Sequence, residues 1–173
     1  MSAFVRSLIS VLCFVGFAGT ANAAAKIVAQ APCTSASGTC LQFAGGAAIP
    51  VIRAITFIAP SAGTAAVTFH GSLYCANNSI SDKVVDLVTQ IVTDAAAAPA
   101  ADKPGGMRLA EVLKDSNEHA QGTSDSFNLA STRAVRILAA GKRNFYFKIA
   151  PLKMDANTIC YVYNAAFTVY FVP

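Results

Sequence analysis

Alternation of apolar and polar residues dominates the chain after its first two dozen positions. Across 67–75, Val67, Phe69, Gly71, Leu73 and Cys75 share one face, while Thr68, His70, Ser72 and Tyr74 share the other. That period of two is the pattern of a half-buried strand. Phe145, Phe147 and Ile149 alternate in the same way with Asn144, Tyr146 and Lys148. Residues 158–172 are rich in β-branched and aromatic side chains, which fit a pleated, half-buried surface. There Tyr161, Tyr163, Phe167, Val169 and Phe171 share one phase, and Cys160 and Val162 fall on the other. A β-bulge near Asn164 or Ala165 reconciles them, because one extra residue switches the phase that faces inward.

Weaker signals fill in the rest. Residues 53–59 form a strand stopped by Pro60 and the turn Ser61-Ala62-Gly63-Thr64, and 41–43 form a short one. In 84–92, Val84, Val85, Leu87, Val88, Ile91 and Val92 trace a helical face. Yet six of those nine residues are Val, Ile or Thr, which favour a strand, so a strand is predicted. A turn at 139–143 separates a strand ending near Leu138 from one starting at Asn144. Residues 95–106, rich in Ala, Pro and Gly, read as a surface loop. Residues 107–114 read as a helical turn with Leu109, Val112 and Leu113 inward, or as an edge strand, and 115–125 as an exposed polar loop. Strands at this spacing predict an all-β protein, a single antiparallel β-sandwich with a jelly-roll-like alternative, over 24–173.

Residues 1–23 carry the marks of a cleaved signal peptide: Arg6, an apolar stretch over 8–19, and the small-x-small site Ala21-Asn22-Ala23. Cys13 would leave with it. Four cysteines would remain, Cys33, Cys40, Cys75 and Cys160, and an even count in an exported chain predicts two disulfides. Cys33 with Cys40 is preferred because a turn-rich spacer separates them, which leaves Cys75 with Cys160. The rival zinc site lacks any CxxC pair and has only His70 and His119 to complete it.

Composition then sharpens the class. The chain of 173 residues is 54% hydrophobic and 13% charged, and its mean hydropathy is +0.49. Those values would suit a membrane protein if the apolar residues were contiguous. After the signal segment, however, no run reaches the roughly 18–20 residues of a spanning helix. Charge is divided along the chain. Eight acids between Asp82 and Asp125 face four basic residues, whereas six basic residues from Arg133 onward face only Asp155. Such a division suits association with copies of itself or with an anionic polymer.

Catalytic signatures are weak. The chain contains no GxSxG, HExxH, GxGxxG or Walker pattern. His70 and His119 are the only candidates for a general base, so no catalytic residue, metal or cofactor is assigned. The aromatic residues concentrate near the C-terminal end, where Tyr146, Tyr163 and Tyr170, with Arg143 and Lys148, are candidates for contacting a ligand such as an envelope polysaccharide. Nucleic acid is not expected as a partner of an exported chain with so little interleaving of basic and aromatic residues. The reading that follows is a noncatalytic exported sandwich acting as a binding or surface-structural module. The alternatives are a pilin-like adhesive subunit assembled by strand exchange, with Ile27, Val28 and Ala29 as donor segment, and a small secreted hydrolase using His70 or His119.

Overall fold

The computed structural model describes residues 25–33, 38–46, 51–114 and 124–173. The predicted signal peptide, Cys13 and His119 lie outside the described residues, as do 115–123 of the predicted polar loop. Among the described residues the chain forms β1 (Lys26–Pro32), β2 (Thr39–Ala44), β3 (Val51–Ala59), β4 (Gly63–Asn77), β5 (Lys83–Val92), β6 (Gly106–Leu113), β7 (Ser124–Ile137), β8 (Gly141–Met154) and β9 (Thr158–Val172). They build two sheets. Sheet A runs β1-β9-β4-β7, with β2 also on β9, and sheet B runs β3-β8-β5-β6. Every pairing is antiparallel, and the sheets face each other as a β-sandwich. Among the described residues no helix is long and apolar enough to cross a membrane.

The inward phases of the strands meet as one core. Val67, Phe69, Leu73 and Cys75 of β4 lie against Phe145, Phe147 and Ile149 of β8, all buried. Phe69 and Phe147 stack across the two sheets with ring centroids 3.6 Å apart, and the edge of Phe167 meets Phe69 at 6.0 Å. Phe57 joins Phe145 and Phe171 nearer the other end of the core.

β9 changes faces midway, at the expected place. Ser72 pairs with Tyr163 and His70 with Ala166, so Asn164 and Ala165 stand opposite Gly71 alone. Asn164 takes a left-handed backbone, φ 48°, a region asparagine tolerates better than most residues. Below the bulge Cys160 and Val162 point inward, and above it Ala165, Phe167, Val169 and Phe171 do. Gly71 answers the bulge: a Cβ there would sit 3.1 Å from the Ala165 Cβ and 3.3 Å from the Tyr163 carbonyl oxygen.

Both disulfides join the expected partners. Cys75 and Cys160 lie directly opposite on β4 and β9, fully buried, with Cα atoms 4.1 Å apart and a sequence separation of 85. Closing so long a loop restricts the unfolded chain by about 4–5 kcal/mol in the chain-entropy account. Cys33–Cys40 closes a seven-residue step between β1 and β2. Its backbone pairs with the bulge: Cys33 N donates to the Ala165 carbonyl at 2.7 Å, and Asn164 N to that of Gly38 at 3.0 Å. Those two groups of β9 sit where β1 ends and β2 has not begun, so the small covalent loop supplies partners the ladder does not. With all four thiols bonded, the zinc alternative has no cysteine ligands.

Sheet B explains the ambiguity at 84–92. β5 is a central strand, so Val85, Leu87, Thr89 and Ile91 face the core while Val88, Gln90 and Val92 face outward. The outward set is nevertheless buried, because the loop between β5 and β6 lies over it. Gln90 donates to the Pro104 carbonyl and accepts from Ala100 N. Lys148 donates to the carbonyls of Ala95 and Ala97 at 2.8 and 2.6 Å. A strand covered on both faces loses its alternation. Residues 107–114 are not a helical turn: Gly106–Leu113 is an edge strand beside β5. Val112, expected inward, is 50% exposed, while Leu109 and Leu113 alternate toward the core. The polar loop also ends earlier than expected, since Ser124 and Asp125 already pair with Ala76 and Cys75.

Asn77 locks the end of β4 to β6. Its side chain is buried, and Nδ2 donates to the carbonyls of Ser81, Leu113 and Lys114 at 2.9, 3.2 and 2.8 Å while Oδ1 accepts from Ser79 N. Asn77→Asp would replace that donor by a carboxylate oxygen facing three carbonyl oxygens. Such a buried mismatch is expected to remove about 2–3 kcal/mol of stability at pH 7. Urea unfolding followed by circular dichroism measures it, and an unchanged midpoint would contradict the clamp.

Candidate functional site

The face switch in β9 decides what the outer surface of sheet A carries. With Cys160 and Val162 inward, Tyr161 and Tyr163 must point outward. The cross-strand register sets Tyr74 of β4 directly opposite Tyr161. The three rings form one group: Tyr161 and Tyr163 lie 5.8 Å apart with planes 26° from parallel, and Tyr74 lies 6.1 Å from Tyr161 at 44°. All three are half-buried. On the same outer face, Gln42 of β2 stands opposite Tyr161, Ser72 opposite Tyr163, and Asn128 of β7 opposite Ser72. The result is an aromatic strip bordered by amide and hydroxyl groups.

Chemically, such a strip suits a ring with one apolar face and a polar rim. The negative π face of tyrosine attracts C–H groups, while Gln42, Ser72 and Asn128 offer hydrogen-bond donors and acceptors to hydroxyls. The buried Cys75–Cys160 bond lies immediately beneath, between Tyr74 and Tyr161 and their chain neighbours, and holds the two strands in this register.

The residues expected to act together are dispersed. Tyr163 belongs to the strip. Tyr170 shares its sheet face but stands between Ile27 and Ala66, about 20 Å farther along β9 at the rise of a strand. Tyr146 lies on the outside of sheet B, beside Ala54 and Val92. Lys148 spends its ammonium group on the carbonyls of Ala95 and Ala97, so it holds the loop in place. Arg143 braces its own turn, donating to the carbonyls of Lys142 and Ala139 at 2.8 Å each. His70 is exposed on the outer face of sheet A, with Ala166 and Ala130 as its cross-strand neighbours. Sequence reasoning had Tyr74 on a polar face and Tyr161 in phase with Tyr163. The missing signal was the register of β4 on β9, which makes the three one group.

The acidic stretch is partly neutralised by its own cations. Asp86 receives Arg108 Nε at 2.9 Å and Nη2 at 2.6 Å across β5 and β6, and Lys114 pairs with Asp82 at 3.1 Å. Hydrogen bonds from Arg108 hold the Asp86 carboxyl below its ordinary value of 3.8, with desolvation opposing them.

Among known proteins, no protein-family model matches the chain and no curated protein matches it.

The Asp86–Arg108 pair yields a signed pH dependence. A carboxyl held lower in the folded state contributes stability above its unfolded pKa and loses it as pH falls through the folded value. Parent and Asp86→Asn proteins are therefore expected to differ by a constant urea midpoint between about pH 5 and pH 8, and to converge below about pH 4. A gap that widens on acidification would contradict the assignment.

Proposed function

We propose that the protein is an exported, noncatalytic β-sandwich that binds polysaccharide at the cell envelope or outside the cell through the Tyr74–Tyr161–Tyr163 strip. The observation that carries this reading is the grouping of three half-buried rings, at 5.8 and 6.1 Å spacing, on the outside of a disulfide-braced sheet. Export is supported by Ala21-Asn22-Ala23 after an apolar stretch and by two disulfides, which persist in an oxidising compartment. A rigid sheet is also a favourable scaffold, since rings fixed before binding lose little freedom on contact.

The alternatives have less support. A hydrolase built on His70 would need an acid or hydroxyl partner, and the cross-strand neighbours are alanines. Strand exchange is not required to complete sheet A, because Lys26–Pro32, which contains the supposed donor residues, already pairs with the chain's own β9.

Affinity electrophoresis through gels containing neutral or acidic bacterial polysaccharides tests the reading. Retarded migration is expected for the parent, with about fivefold weaker binding for Tyr161→Ala or Tyr163→Ala, near 1 kcal/mol each. Binding unaffected by Tyr74→Ala, Tyr161→Ala and Tyr163→Ala together would overturn it.

A further inference from the structure

The end of the sandwich remote from the tyrosine strip has a different chemistry. Two turns cross there from one sheet to the other: 60–62 joins β3 to β4, and 138–140 joins β7 to β8. Both are apolar or small, Pro60-Ser61-Ala62 and Leu138-Ala139-Ala140, and neither contains a carboxylate. Leu138 at the tip of one is 77% exposed, as is Ile58 just before the other. Behind them stand cations. Arg136 is exposed on the side of sheet A, and Lys142 is exposed on the side of sheet B in register with Ile58. Arg143 lies between them, and a cleft of about 450 Å³ is lined by Arg136, Leu138, Lys142 and Arg143.

Nearby negative charge is limited. The loop after Thr93 carries Asp94, which accepts from Ala96 N, and Asp102, which pairs with Lys103 at 3.7 Å.

Exposed aliphatic tips ringed by cations complement a surface that is apolar inside and anionic outside. We propose that this end docks on an anionic lipid bilayer, with Leu138 and Ile58 entering the headgroup–acyl boundary and Arg136 and Lys142 meeting lipid phosphates, while Arg143 braces the turn between them. The site is independent of the tyrosine strip: Gly63 and Tyr74 lie eleven residues apart on β4, about 35 Å at the strand rise. A molecule seated on the bilayer through this end would hold the strip away from it.

Cosedimentation with extruded vesicles tests the proposal, using purified protein with both disulfides formed. Binding is expected to phosphatidylcholine vesicles containing phosphatidylglycerol at about three parts in ten, and to weaken in concentrated salt, as screened contacts must. Arg136→Gln with Lys142→Gln should lower the affinity about 25-fold, fivefold for each charge near the surface. Leu138→Ser should lower it about tenfold. All three side chains are exposed, so thermal midpoints should be unchanged and a loss cannot be ascribed to unfolding. Tyr161→Ala should bind vesicles like the parent, which separates this proposal from the polysaccharide reading. Equal binding to pure phosphatidylcholine, parental binding by the charge variant, or capture of soluble polyphosphate without any vesicle binding would each overturn it.

Discussion

The architecture depends on one extra residue in β9. A strand of strict alternation from Thr158 to Val172 could bury Cys160 and Val162, or Phe167, Val169 and Phe171, but not both sets. The bulge at Asn164 and Ala165 lets one strand serve both ends of the core. It also leaves backbone groups unpaired, and the Cys33–Cys40 loop satisfies them through Cys33 N and the Gly38 carbonyl. Gly71 and Gly38 belong to the same arrangement: a Cβ on Gly71 would press on Ala165, and one on Gly38 would come within 2.9 Å of Asn164 Oδ1. Bulge, small loop and two glycines therefore form one local solution, and the outward turn of Tyr161 and Tyr163 is its consequence.

Around that centre, polar side chains fasten pieces that apolar burial alone would leave loose. Ser131 and Arg133 point inward from β7, on the same face as the apolar Phe127, Leu129, Val135 and Ile137. Ser131 donates to the Gly105 carbonyl at 2.6 Å and Arg133 to that of Ile91 at 2.7 Å, which ties sheet A to sheet B along one side. Gln90 and Lys148 hold the loop over the outside of sheet B, and Asn77 holds the end of β4 to β6. Where the acceptor is buried, as the Leu113 carbonyl beside Asn77 is, loss of the bond is costly.

Much of this was legible beforehand. Alternation located β4 and β8, the conflict of phase between Cys160 and Phe167 located the bulge, and cysteine spacing gave the disulfides. What failed to show had physical causes. β5 is covered on both faces and so does not alternate, and β7 hides its phase behind the inward Ser131 and Arg133. For the candidate site, residue type was informative and register was not available. Tyr146 and Tyr163 both alternate correctly, yet belong to different sheets, and Lys148 looked like a free cation until the loop from Ala95 folded beneath its ammonium group. Periodicity assigns a face; only pairing brings residues from separate strands together.

The functional reading inherits this dependence, because the tyrosine strip exists only if β9 changes faces. Thermal unfolding of two variants at Asn164 tests that claim most directly. Asn164→Gly keeps the chain length and suits the left-handed backbone at φ 48°, so it should melt cooperatively close to the parent. Deletion of Asn164 removes the extra residue and should abolish the cooperative transition or the Cys75–Cys160 bond, whereas a deletion variant that melts like the parent with both disulfides intact would contradict the account.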